Sequence, residues 1–172
     1  MNSFILVIPI VFIRYILIRF ISNKALERAG FFPPTEGKER VAFYVYQMTI
    51  LFLLIYLFFS RIKFNTIFNF IGLIIFLIGT ILYIKSIIDF AKPQDNGINR
   101  NGLYKYSRNP MYVAFFLYFL GASLLINSSL YFLILGIFQV SVHFLILSEE
   151  RWCIEKFGSE YEEYMKDIRR YI

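Results

Sequence analysis

Residues 109–148 read NPMYVAFFLYFLGASLLINSSLYFLILGIFQVSVHFLILS and carry no formally charged side chain. As one α-helix at about 1.5 Å per residue the run would be about 60 Å long, twice the roughly 30 Å hydrocarbon core of a bilayer. It must therefore fold back, and the polar triplet Asn127, Ser128, Ser129 is the place for a hairpin. This gives two crossings, 110–126 and 130–148, the first short enough to start at the interface and cross with little tilt.

Working outward, three more apolar runs are long enough to span. Residues 3–21 are interrupted only by Arg14 and Arg19, residues 41–60 carry no charge, and 67–84 is clean before Lys85, which puts a third span at 67–88. Arg14 and Lys85 are expected to snorkel or to pair. The chain is 58% hydrophobic and only 17% charged, whereas a soluble domain is about half apolar and a quarter charged. The fold class expected is all-α: a polytopic membrane protein with five transmembrane helices and a C-terminal amphipathic helical segment, forming a single domain over 1–172. The first run is too long for a signal-peptide core and lacks a basic leader and a small-residue cleavage site, so it is expected to be retained as a span.

Charge orients the bundle. Thirteen basic residues lie after span one, after span three and in the tail, against Arg61 and Lys63 on the other side. The positive-inside rule then places the N-terminus outside and the C-terminus in the cytoplasm of a multi-pass cell-membrane protein. The net charge of +6 is spread over these membrane-flanking segments, where anionic lipid accounts for it, and nucleic acid is excluded as a partner. Cys153 is the lone cysteine, which rules out an intramolecular disulfide and a thiolate-rich metal site. No obligate protein partner is evident.

The polar stretches are a loop at 89–108 and a tail at 149–172. Pro93, Gly97 and Gly102 make AKPQDNGINRNG (91–102) irregular backbone. The next helix starts with Asn109 as N-cap and Pro110 at its first position. In the tail, Ile154, Phe157, Tyr161, Tyr164 and Ile168 recur at helical spacing with charges between them. Gly158 is expected to separate two short helices, which lie along the interface or close over the bundle as a lid.

Local chemistry leaves alternatives open. The helix start at Asn109 with Arg108 beside it is either a carboxylate or phosphate site or an ordinary cap next to a membrane-flanking arginine. Glu149 and Glu150, acids at a basic boundary, either bind a cationic ligand or form a solvated turn in which Arg151 pairs with Glu155. His143 shares a helical face with Gln139 and Glu150 and is either catalytic or an interhelical hydrogen-bonding group.

Taken together, NGLYKYSRNPMY (101–112), a hydrophobic hairpin and EERWCIEKFGSEYEEYMKDIRRY (149–171) resemble the isoprenylcysteine carboxyl methyltransferase family and related phospholipid methyltransferases. The family's Gly-x-Tyr element falls on Gly102 and Tyr104. Its Arg-His-Pro-x-Tyr element falls on Arg108, Asn109, Pro110 and Tyr112, with Asn109 in place of the usual histidine. Its paired acids fall on Glu149 and Glu150, its aromatic frame on 157–164 and its terminal arginine on Arg170.

The resemblance implies an S-adenosylmethionine-dependent methyltransferase that releases S-adenosylhomocysteine. The acceptor would be a lipophilic or small carboxylate, thiol or amine, met at the cytoplasmic face among membrane lipid. Gly102, Tyr104, Arg108, Asn109, Pro110, Tyr112, Glu149 and Glu150 would bind the methyl donor, with Arg170 and Glu150 as catalytic residues and no metal. The same superfamily includes NADPH-dependent sterol and steroid reductases, and a non-catalytic member that binds lipid or a partner helix is the third reading. The charges of the donor, two cationic and one anionic, suit a site containing two glutamates, whereas the phosphates of NADPH do not.

Overall fold

The computed structural model describes residues 1–93 and 97–172. The described residues are mostly helical, as the apolar runs require: in lipid the backbone must satisfy its own hydrogen bonds, and a helix does so within one segment. Helix α1 (Ser3–Ile21) opens with a 3₁₀ turn capped by the Asn2 side chain and contains a π-helical stretch at Phe12–Leu17. Four further helices follow its short partner α2 (Asn23–Gly30): α3 (Lys38–Phe59), α4 (Ile67–Phe90), α5 (Pro110–Ile126) and α6 (Ser129–Phe157). A short helix α7 (Ser159–Asp167) ends the chain. Four of these, α1, α3, α4 and α6, are long and apolar enough to cross a bilayer, and α5 is a shorter apolar helix of 17 residues. The chain is a multi-pass membrane protein.

The hairpin forms where the polar triplet predicts it. Asn127 takes up the left-handed conformation at φ 51°, which asparagine tolerates better than most residues, and the Ser128 side chain caps α6 by accepting from Tyr131 N. The expected boundaries shift elsewhere. The second span starts at Lys38 and the third continues to Phe90. The largest change is in the fifth, which runs on past 148 to Phe157. Residues 149–157 contain no helix breaker, and the helix stops at Gly158, whose φ of 59° lies in the left-handed region. The first of the two short tail helices is thus the end of α6. Helix α2, which the sequence reading left as loop, is started by the Ser22 side chain accepting from Ala25 N, and Arg28 ties it to α4 by donating to the Phe90 carbonyl at 2.8 Å. The irregular backbone expected at 91–102 is found on either side of residues 94–96, which lie outside the described residues.

Packing pairs α4 with α5 and α3 with α6, whereas α5 and α6 touch sparingly. The close α4–α5 contact depends on two glycines. A Cβ on Gly79 would fall 2.5 Å from Tyr118 N, and one on Gly121 would fall 2.4 Å from Phe76 N. Small residues drive helix association in membranes because apolar side chains gain nothing there by leaving lipid. The hairpin end of the bundle is also tied by polar contacts: Asn69 donates to the Leu124 carbonyl at 2.8 Å and Ser3 Oγ to the Leu57 carbonyl at 2.9 Å. Exposed Ile74, Leu77, Ile78 and Ile81 on α4, with Leu133, Ile137 and Val140 on α6, face outward as lipid-contacting surface. The opposite end of the bundle is left to the loops and the tail.

Candidate functional site

At that end Arg108 joins the loop to the tail. Its Nε and Nη2 donate to Glu150 Oε1 at 3.1 and 2.8 Å, and its Nη1 donates to the carbonyls of Met165, at 2.9 Å, and Ile168. Arg170 approaches the same carboxylate from the tail, with Nε and Nη2 donating to Oε2 at 3.1 and 2.8 Å. The backbone continues the seam, since Arg108 N donates to the Arg169 carbonyl at 2.9 Å and Asn109 Nδ2 to the Arg170 carbonyl at 3.1 Å. The tail therefore closes over the loop, and Glu150 is the residue both arginines grip.

Burial makes this arrangement one that must be kept whole. The Glu150 and Arg108 side chains are 5% and 7% exposed, and Arg170 is 30% exposed. A carboxylate so buried is tolerable only when paired and hydrogen-bonded, and removing one partner strands the other. The Glu150 carboxylate in turn raises the Arg170 guanidinium above its already high pKa. Glu150 and Arg170, the two residues expected to be catalytic, thus pair with each other. Their geometry is that of a clamp.

Glu149, one residue earlier, points elsewhere. Its Oε1 accepts from the Tyr112 hydroxyl at 2.6 Å, across from α6 to the first turn of α5. Both residues are partly buried, Glu149 on α6 and Tyr112 on α5. The start of α5 lies beside them: Pro110 is buried at its first position, and the Asn109 backbone N-H donates to Ser107 Oγ at 3.1 Å. Asn109 precedes the helix, but its side chain does not cap it and serves the tail seam instead.

Gly102 and Tyr104 build the floor of the loop. Gly102 has φ 56°, and a Cβ there would fall 2.0 Å from Asp89 Oδ2. That close approach lets Asp89 accept from Leu103 N at 2.8 Å and pin the loop to the end of α4. Tyr104 is buried, which pushes its phenol well above the ordinary tyrosine pKa, and its carbonyl accepts from Tyr164 Oη at 2.7 Å. The aromatic frame of the tail is thereby bonded to the loop it covers.

Several contacts are beyond what the sequence reading named. His143 Nδ1 is 2.8 Å from the Tyr171 hydroxyl, so this histidine hydrogen-bonds the C-terminal tail. Arg151 does not pair with Glu155; it binds Glu39 in a fork at 2.5 and 2.8 Å, fastening α6 to the start of α3. Local i,i+4 spacing favours the first pairing, but the fold brings a bidentate partner from far away in sequence. An apolar cleft lined by Leu82, Leu103, Pro110, Val113, Tyr171 and Ile172 opens beside the tail. Asp89 carried one signal, as the first acid after Glu39 at the end of an apolar span.

The chain matches the phospholipid methyltransferase family over residues 67–160, more than half its length, and belongs to that family. It is 34% identical over 84 residues to the protein-S-isoprenylcysteine O-methyltransferase of Saccharomyces cerevisiae, covering 48% of this chain and 35% of that protein. The Schizosaccharomyces pombe protein of the same name is 31% identical over 86 residues, with the same coverage. The matched part is about a third of the length of these curated relatives. No solved structure matches.

Proposed function

We infer that the protein transfers a methyl group from S-adenosylmethionine to a lipophilic acceptor at the cytoplasmic membrane face. The observation that carries this reading is Glu149: a partly buried carboxylate, one oxygen held by Tyr112 in the first turn of α5, next in sequence to the Glu150 that clamps the tail. The methyl donor presents an ammonium, a sulfonium and a carboxylate. Glu149 would hold a cationic part of it, while Tyr112, Asn109, Pro110, Gly102 and Tyr104 shape the walls around it. When bound, the donor supplies an activated methyl group for in-line displacement, a reaction in which alignment of the two partners does most of the work. Arg108, Arg170 and Glu150 would act by holding the tail closed, which excludes water and fixes that alignment.

The curated relatives are named for isoprenylcysteine, a lipid-modified carboxylate, and an acceptor of that kind suits a site whose flank is an apolar cleft opening among the helices. The reductase reading is disfavoured by the same geometry. NADPH needs several bases for its phosphates, and Arg108 and Arg170 are both committed to Glu150. The orientation with N-terminus outside and tail inside rests on the thirteen-to-two distribution of basic residues. The test is transfer of radiolabelled methyl from S-adenosylmethionine to N-acetyl-S-farnesylcysteine by the purified chain. Base-labile methyl ester is expected; no labelled methyl on this acceptor, and none on amine or thiol acceptors, would overturn the reading.

A further inference from the structure

Helix α1 lies outside the segment shared with the family, yet it carries a charge within its apolar span. Arg14 sits seven residues before the end of α1 at Ile21, about 10 Å into the span at 1.5 Å per residue, within the π-helical stretch Phe12–Leu17. π-Helical turns recur at functional sites because they redirect a side chain at a cost in regularity. The guanidinium is half-buried and donates from Nη2 to the Ala29 carbonyl, which uses one of its five N-H groups. Among the described residues it forms no ion pair. An unpaired cation inside a span is costly and marks a site by default.

Its surroundings indicate the kind of ligand. Tyr83, on α4, which packs against the π-helical stretch of α1, is fully buried, and its hydroxyl meets no partner at hydrogen-bond geometry. A buried hydroxyl left without a partner is rare enough to require explanation. Tyr46, Tyr112 and Glu149 are also within electrostatic reach of Arg14. Arg14 on α1 and Glu149 on α6 thus act on each other electrostatically without forming an ion pair. An arginine with an idle hydroxyl beside it is a donor set for an anionic oxygen group.

We propose that Arg14 and the Tyr83 hydroxyl bind the anionic oxygen group of the acceptor, a carboxylate or a phosphate. This deepens the methyl-transfer reading and rests on it for the identity of the ligand as an acceptor. A cationic donor on Glu149 and an anionic acceptor on Arg14 would be drawn together without either displacing the other. Span one would then set specificity, and acceptors lacking a negative charge near the reacting atom would bind poorly.

The test is calorimetric titration of the purified full chain in a neutral maltoside detergent, with and without S-adenosylhomocysteine. The probes are two matched pairs: N-acetyl-S-farnesylcysteine with its carboxamide, and oleoyl lysophosphatidic acid with mono-oleoylglycerol. At least one anionic probe should bind about tenfold or more tightly than its neutral match, and whichever pair shows the preference identifies the source of the anion. Arg14→Gln should abolish the preference and Arg14→Lys should retain part of it. Tyr83→Phe, which leaves Arg14 and its bond to Ala29 in place, should weaken it severalfold, so the proposal does not depend on the Arg14 variants folding. S-adenosylhomocysteine affinity should be alike in all four proteins. Equal binding of acid and neutral probes by the wild type, or a preference surviving Arg14→Gln, overturns the proposal. Loss of S-adenosylhomocysteine binding in the wild type would instead overturn the methyl-transfer reading, and the probe pairs would still test Arg14.

Discussion

Glu150→Gln should release the tail. In the wild type both carboxylate oxygens accept from Arg108 and Arg170, at distances from 2.8 to 3.2 Å. The amide keeps one acceptor oxygen, removes the charge and turns an N-H₂ toward a guanidinium. Breaking a buried ion pair from one side costs about 3–5 kcal/mol, because the remaining charge is stranded. Arg108 is nearly as buried as Glu150, whereas Arg170 is about a third exposed and recovers part of its hydration, so the lower end, about 3 kcal/mol, is expected. If the loss falls on docking of the tail, its opening equilibrium rises by about a hundredfold, since 1.4 kcal/mol is a factor of ten. Hydrogen exchange of residues 159–170 in detergent should accelerate accordingly while the α4–α5 amides keep their protection, and S-adenosylhomocysteine affinity should fall with it. Unchanged exchange in 159–170 would show that the Glu150 grip does not hold the tail, and the clamp would be refuted.

Other expectations follow from single contacts. Gly121→Ala places a methyl 2.4 Å from Phe76 N, so α4 and α5 must separate; thermal unfolding in detergent should show a loss of about 1–3 kcal/mol, as for overpacked cores. Tyr112→Phe deletes the 2.6 Å bond to Glu149 while keeping the ring; S-adenosylhomocysteine binding should weaken about tenfold, the worth of a hydrogen bond to a charged group, with folding largely retained. In a background lacking Cys153, a cysteine at Asn99 should resist an impermeant reagent in intact cells and one at Asn65 should react; the reverse pattern would invert the proposed topology.

The spans were legible because lipid imposes a length and a polarity that composition alone reveals, and the hairpin at Asn127 to Ser129 was legible because three polar residues interrupt forty uncharged ones. The end of α6 was not, because the charges at Glu149 to Arg151 resemble a membrane exit, while the stop signal is the backbone of Gly158 nine residues later. The family resemblance brought Arg108, Glu149, Glu150 and Arg170 to notice together. It could not show that Glu149 and Glu150, adjacent in sequence, part company: about 100° of helical rotation turns one toward Tyr112 and the other toward the two arginines. Asn109 illustrates the same limit. Sequence made it a cap, but the tail carbonyl at Arg170 claims its side chain. Contacts such as His143 with Tyr171 and Arg151 with Glu39 join segments whose proximity no local pattern encodes.

The central claim is that the interior under the tail is a methyl-donor site built around Glu149. Calorimetric titration of the purified chain with S-adenosylhomocysteine, followed by NADPH, tests it most directly. The account predicts saturable one-to-one binding of S-adenosylhomocysteine, weakened in Glu149→Gln and unaffected by NADPH. Saturable binding of NADPH with none of S-adenosylhomocysteine would contradict it.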